Sequence, residues 1–240
     1  MRNKTLATVA VLVLGCAANA DVVLNQISVT EGDNGPASVS QDFEAAFNAN
    51  DIVFADDFTV DSLHLSVTRV EAVAALFTGG GPLSDSVWAT VTGFRVEFYT
   101  SIAAAVGSPT LAGNAGSQFV PIGSVTRTNL GFLSNGSASL VDMALSVTLP
   151  SAGTYWLAVM AAMPAGASGN QHGITQNNTS PGNTNATWVN PGGGFSLSGN
   201  FQNSNADASY RLHAVPEPGS MIALGIGVAA LLARRRRRTV

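Results

Sequence analysis

The sequence contains very little cysteine, lysine or charge. Only 11% of its 240 residues are charged, and its one cysteine, Cys16, lies in an apolar run near the start. Residues 21–215 can therefore form no disulfide, no thiolate metal site and no cysteine nucleophile. The same span has four arginines and no lysine against 14 acidic residues, which gives it a net charge near −10. A surface of that sign repels phosphate backbones, so we expect no binding to nucleic acid.

The sequence also lacks the motifs that mark common catalytic sites. The histidines, at positions 64, 172 and 213, show neither His-x-x-x-His nor His-x-His spacing, so a zinc site is not indicated. No Gly-x-Ser-x-Gly motif occurs, and the glycine runs lack the lysine of a phosphate-binding loop. We therefore expect no catalysis and no cofactor, with an envelope hydrolase as the least favoured alternative. His64 lies in a strand-like pattern and is expected to be a half-exposed sheet residue.

Asp56 and Asp57 are adjacent in the sequence and are the carboxylate pair that we consider as a catalytic or metal site. Neighbours on a strand point to opposite faces, so the two cannot polarise one substrate together. Either could join Asp51 or Asp61 around a calcium ion, because calcium favours clustered oxygen ligands. The simpler expectation is that both are solvated edge or turn residues and that no metal binds.

Tryptophan offers a candidate ligand contact. Trp188 precedes a glycine-rich turn and is expected to be exposed enough to stack on a sugar ring. Trp156 lies in an apolar strand pattern and is expected in the core. A carbohydrate-binding module of an exopolysaccharide or biofilm matrix is therefore one functional alternative.

Residues 21–214 show short alternating apolar runs and no sustained helical period. The clearest half-buried strand is predicted at 93–100. The runs at 143–149 and 154–160 flank a Pro-Ser-Ala-Gly turn, which predicts a hairpin. The glycine- and asparagine-rich span 166–199 is interpreted as a surface loop. Together these patterns predict an all-β fold, an antiparallel β-sandwich of either jelly-roll or immunoglobulin-like type.

The first 20 residues have the pattern of a secretory signal peptide. A short basic start and an apolar run too short to cross a bilayer comfortably precede the small-x-small pattern of Ala18 and Ala20. We expect signal peptidase to cleave before Asp21 and the body to be exported. Lipoprotein processing at Cys16 and a buried N-terminal helix are the less favoured alternatives.

Residues 215–240 form a three-part tail. A proline-bracketed motif comes first, with Pro216, Glu217 and Pro218. A transmembrane helix is expected next, with Met221, Leu224, Val228, Leu231 and Leu232 in the membrane. A cytoplasmic stop follows, made of Arg234, Arg235, Arg236, Arg237 and Arg238. The uncharged run at 220–233 is about 21 Å long as a helix, whereas the hydrocarbon core is roughly 30 Å thick. The flanking residues and snorkelling of the arginines bring the helix near a spanning length. The arginines should stay cytoplasmic, which places the body outside that membrane.

This tail resembles the PEP-CTERM sorting signal in all three parts and in their order. The resemblance implies recognition by an exosortase, an integral-membrane enzyme similar to cysteine proteases. It also implies a Gram-negative bacterium that makes exopolysaccharide or biofilm matrix. The same kind of tail carries the label of an ice-binding-protein C-terminal domain, which implies no binding of ice. A plain tail anchor without processing is the alternative.

The body is similar to uncharacterised β-sandwich modules of exported bacterial proteins. Four short motifs carry this resemblance, and they occur in the order Asp56–Val60, Val96–Thr100, Gly153–Leu157 and Trp188–Phe195. The resemblance implies a fold and an exported setting, but no activity.

The expected organisation is thus a signal peptide at 1–20, a β-sandwich at 21–214 and a sorting signal at 215–240. The expected function is structural or adhesive, in the envelope or the extracellular matrix. The expected partners are signal peptidase, exosortase and membrane lipid, with exopolysaccharide as a further candidate. We expect the protein to be held in the inner membrane by its tail before processing and then to reach the cell surface or matrix.

Overall fold

A computed structural model describes residues 20–28, 30, 34–78, 88–131, 136–165, 170–177, 185–194 and 201–216. Within these ranges no helix is both long and apolar enough to cross a membrane. The expected signal helix and transmembrane helix lie outside the described residues.

Fifteen strands account for most of the described chain. Their bounds are β1 Asp21–Asn25, β2 Asn34–Val39, β3 Gln41–Asp42, β4 Val53–Val60, β5 Ser66–Thr78, β6 Gly93–Tyr99, β7 Gly116–Pro121, β8 Val125–Asn129, β9 Gly136–Thr148, β10 Gly153–Ala162, β11 Asn170–Asn177, β12 Thr187–Val189, β13 Phe201–Asn203, β14 Asp207–Ala208 and β15 Tyr210–Val215. A short α-helix, α1 at Ile102–Val106, and 3-10 helices at Ala45–Asn50 and Ile122–Ser124 lie between them.

The strands form two sheets that pack face to face. The first sheet has eight strands (β1, β2, β5, β8, β9, β11, β14 and β15), and the second has seven (β3, β4, β6, β7, β10, β12 and β13). The pairing is antiparallel throughout the described strands except where β3 runs parallel to the end of β10. The predicted antiparallel β-sandwich is therefore confirmed.

Eight of the strands pair in a nested order. Taken along the chain, the first pairs with the eighth (β2 with β11) and the second with the seventh (β4 with β10). The third pairs with the sixth (β5 with β9), and the fourth pairs with the fifth (β6 with β7). This order, with four of these strands in each sheet, is that of a jelly roll. The structure thereby distinguishes the two topologies that the sequence pattern allowed.

The main core lies between the sheets and is built by alternating apolar side chains. Phe94, Val96 and Phe98 of β6 are fully buried in it, as the alternation predicts. Met143 and Val147 of β9 also face it. Burial of such aliphatic and aromatic side chains contributes roughly 1.5–3 kcal/mol each relative to exposure.

A second, smaller apolar cluster covers the outer face of the second sheet. The connection between β6 and β7 folds back over this face and brings Ala105 and Leu111 against Tyr99 and Met160. Ser101 caps α1 by accepting a hydrogen bond from the Ala104 N–H at 3.2 Å. Strand β6 is therefore buried on both faces, and the prediction of a half-buried strand at 93–100 is wrong for its outer face.

Three further expectations about the body are corrected. The predicted hairpin is wrong, because β9 belongs to the first sheet and β10 to the second, so the turn at 149–152 crosses between sheets. The span 166–199 is not one surface loop, because β11 and β12 both lie in it and are paired in the sheets. His64 is not a sheet residue, because it lies in the turn between β4 and β5.

Candidate functional site

The candidate site begins where the last strand ends. Strand β15 lies between β5 and β1, with Val215 paired to Ser66 and Ala214 paired to Asp21. Pro216 is the next residue, so the proline-bracketed motif follows the sheet with no spacer. Glu217 and Pro218, the membrane residues from Met221 to Leu232 and the arginines from Arg234 to Arg238 lie outside the described residues.

The expected start of the mature chain lies beside this end of β15. Ala20 is exposed and precedes β1, whereas Ala18 lies outside the described residues. Because β1 runs antiparallel to β15, Asp21 is the register partner of Ala214, two residues before Pro216. The structure thus brings together two segments that the sequence places almost 200 residues apart.

A small polar cluster ties this end to the turn between β4 and β5. His64 Nε2 lies 3.0 Å from Asp21 Oδ2, and His64 Nδ1 lies 2.8 Å from Asp61 Oδ1. Asp61 Oδ1 also accepts a hydrogen bond from the Leu63 N–H at 2.8 Å. Burial would lower the pKa of His64, but hydrogen bonds to the two aspartates outweigh it and raise that pKa. The cluster therefore favours the charged imidazole.

Asp56 and Asp57 are not the solvated edge residues that the simpler expectation proposed. They lie in β4, which is flanked by β10 and β12, and their exposed fractions are 0% and 8%. The Ala208 N–H donates to Asp56 Oδ2 at 2.7 Å, and the Asp57 N–H donates to Asp56 Oδ1 at 2.9 Å. Burial raises the pKa of Asp56 to about 8, in spite of the backbone donor Ala208. Asp56 thus connects β4 to β14, and its raised pKa favours the protonated carboxyl at neutral pH.

The companions proposed for a calcium ion have other partners. Asp51 Oδ1 accepts a hydrogen bond from the Phe43 N–H at 2.8 Å, and Asp61 contacts His64. In the part of the chain that the structure describes, no group of three or more histidine, cysteine, aspartate or glutamate side chains could hold a metal ion. Calcium at Asp56 or Asp57 stays an untested alternative.

The tryptophans are more buried than a sugar-binding platform needs. Trp188 lies in β12 and is half-buried, with its ring centroid 5.5 Å from that of Phe54. Trp156 is also half-buried and packs on the second apolar cluster, so its predicted core position is partly right. Glycan contact by Trp188 stays a prediction, but part of its ring surface is already occupied by the core.

The buried ion pairs are the features that the sequence interpretation missed. Glu97 is fully buried and accepts hydrogen bonds from the Arg95 guanidinium at 2.9–3.0 Å and from the Gly113 N–H at 2.7 Å. On the first sheet, Glu71 accepts from Arg69 and Arg211 and contacts His213 Nε2 at 2.8 Å. Each arginine–glutamate pair on one strand is spaced i, i+2, which places both side chains on the same face. That spacing was the available signal.

Comparison with known proteins identifies the tail and not the body. Residues 214–238 match the family model described as the PEP-CTERM protein-sorting motif. No curated protein matches the chain, and no solved structure matches its fold. The motif implies export, exosortase as the processing partner and a membrane-anchored C-terminal segment before processing. The chain is therefore a β-rich protein that carries a PEP-CTERM sorting motif, which begins at the end of β15, the last strand that the structure describes.

Proposed function

We propose that the protein is an exosortase substrate delivered to the cell surface or the extracellular matrix, where its body has a structural or adhesive role without catalysis. The observation that carries the proposal is the sorting motif at residues 214–238, which starts at the end of β15. A motif at this place can be cut or exchanged without removing any strand of the sandwich. The delivered product is then the intact body.

The distribution of charge in the body supports a structural role. Arg69, Arg95 and Arg211 are each paired with carboxylates of the same domain, at distances of 2.6–3.2 Å. The guanidinium carbon of Arg127 lies 4.8 Å from the centroid of the Trp88 ring. All four arginines of the body thus contact other parts of the fold, which leaves them less available to bind an anionic substrate.

The sorting part of the proposal is tested by replacing both prolines of the motif. Pro216→Ala/Pro218→Ala restores an amide donor and backbone freedom at the two positions that proline restricts. We expect an unprocessed form that stays in the membrane fraction of cells with an active exosortase, as judged by intact mass and fractionation. The matched control is Pro109→Ala/Pro121→Ala, which changes two exposed prolines of the body and should be processed normally. Identical mass and localisation of the motif variant and the wild type would refute exosortase-dependent sorting.

A further inference from the structure

Three successive strand pairs of the first sheet have a register shift at one level, just before the last two residues of β15. The register shifts between Val22 and Leu24 in the β1–β15 pair and between His213 and Ala214 in the β15–β5 pair. The β5–β9 pair shifts between Val67 and Arg69, at the same level of the sheet. Bulges interrupt the hydrogen-bond ladder, so the short segments beyond them can open without the rest of the strands. Ala214 and Val215 lie beyond these shifts, and we call them the closing unit of β15.

The polar cluster at His64 lies beside this unit. Asp21 is the register partner of Ala214, and its carboxylate is 3.0 Å from His64 Nε2. His64 is in turn fixed to the turn between β4 and β5 by Asp61, at 2.8 Å. Asp21, the first residue of β1, is thus connected through His64 to the turn that follows β4. This contact lies at the end of β15 from which Pro216 leaves the sheet. We call Asp21, Asp61 and His64 the terminal latch.

The closed unit restricts the reach of the sorting motif. Only residues 217–220 separate Pro216 from Met221, where the expected membrane segment begins, so these two residues can lie at most roughly 18 Å apart. If the expected segment lies in the membrane, a paired Val215 keeps the folded body within about this distance of the bilayer. Opening Ala214 and Val215 would lengthen the free segment by about 7 Å, since a strand residue spans about 3.3 Å.

We propose that the terminal latch gates exosortase processing by keeping the last two residues of β15 paired and the motif close against the body. The inference rests on the proposed function, because it concerns how the same motif is reached. It assigns a regulatory role to Asp21, Asp61 and His64, which lie outside the motif itself.

The test compares two histidine variants of the full chain in cells with an active exosortase. His64→Gln breaks the latch, whereas His213→Gln removes the contact between His213 of β15 and Glu71, on the other side of the register shift from Ala214 and Val215. We expect processing of His64→Gln to be about two- to fivefold faster than that of wild type, the factor that matches the free energy of one exposed ion pair. His213→Gln should be processed at the wild-type rate. Equal rates for His64→Gln and wild type, or equal acceleration by both variants, would overturn the latch.

Two further measurements separate the latch from simple loss of stability. A Gly-Ser-Gly-Ser insertion between Val215 and Pro216 should accelerate processing by itself and remove the difference between His64→Gln and wild type. If the insertion changes nothing, reach does not limit processing and the gate is refuted. In the purified full chain, hydrogen exchange at the amides of Ala214 and Val215 should be faster in His64→Gln, with β10 unchanged. Unchanged exchange at both amides would refute the closing unit independently of any processing.

The outcome also distinguishes the latch from the proposed function. If neither wild type nor any variant is processed when exosortase is present, the proposed function fails and the gate fails with it. If wild type is processed and Pro216→Ala/Pro218→Ala is not, the proposed function holds, and the comparison of His64→Gln with His213→Gln decides the latch alone.

Discussion

Arg95→Met is expected to destabilise the protein by about 3–5 kcal/mol, the usual cost of leaving one member of a buried ion pair without its partner. Glu97 is fully buried, and Arg95 is 19% exposed. The same guanidinium contacts Asp42 at 2.7 Å and donates to the Thr110 carbonyl at 3.1 Å. Its loss therefore affects β6, β3 and the β6–β7 connection together. Chemical unfolding of the two proteins measures the difference.

Two controls test this explanation. Arg69→Met removes an arginine that also pairs with an aspartate and a glutamate, but its side chain is 43% exposed. It should cost about 1 kcal/mol or less, as is typical for exposed pairs. Arg95→Met/Glu97→Gln should be more stable than Arg95→Met alone, because the neutral amide can still accept from the Gly113 N–H. Equal losses in the Arg95 and Arg69 variants would contradict the assigned role of the buried pair.

Asp56→Ala is expected to destabilise the protein by about 2–4 kcal/mol, because the buried backbone N–H groups of Asp57 and Ala208 each lose a hydrogen bond to the Asp56 carboxyl. Asp56→Asn should lose less, since its one amide oxygen can still accept from one of them. Thr59→Ala, at an exposed position of the same strand, should change stability by no more than about 0.5 kcal/mol. Wild-type stability of Asp56→Ala in urea would refute the bridging role of Asp56.

The pH dependence of the same variants has a defined sign. The pKa of Asp56 is about 8 in the folded protein and has an ordinary value of 3.8, so the folded state keeps a proton that the unfolded state releases. The stability that this group contributes is present below pH 3.8 and is lost as the pH rises towards 8, by up to about 1.4 kcal/mol per pH unit. The advantage of wild type over Asp56→Asn should therefore shrink between pH 4 and pH 8. An advantage that grows over this interval would show that Asp56 is ionised in the fold.

His172 shifts the stability in the opposite direction within part of this interval. It is fully buried, and burial lowers its pKa to about 4 from an ordinary 6.5. Its contribution is lost as the pH falls from 6.5 towards 4. The comparison of wild type with Asp56→Asn cancels this contribution, because both proteins contain His172.

The sequence predicts strands better than their partners. Alternation in β6 and β9 identifies the core-facing residues because a side-chain period of two depends only on the local backbone. The turn at 149–152 reverses the chain, but its residues do not determine whether the next strand joins the same sheet or the opposite one. The hairpin prediction failed for that reason. The jelly-roll order arises from pairings such as β2 with β11, whose residues are far apart in the chain.

Part of the candidate site is likewise visible in the sequence, and part of it only in the fold. The sorting motif is visible in the sequence because its three parts are contiguous, and the family match confirms them as one motif. The terminal latch is not visible, because Asp21 and His64 are 43 residues apart and meet only when β1 pairs with β15. Two other features had local signals in the sequence. The serine that caps α1 indicates the helix that covers the second apolar cluster. The i, i+2 spacing of arginine and glutamate indicates the paired charges.

The central claim is that the chain is exported and processed at a motif that borders the folded body. Intact-mass measurement of the protein from cells with and without an active exosortase tests it most directly. With exosortase, we predict a species that begins at Asp21 and has lost or exchanged the tail near Pro216–Pro218. Without exosortase, we predict a species that begins at Asp21 and keeps residues 217–240. The same full-length mass under both conditions would contradict the account.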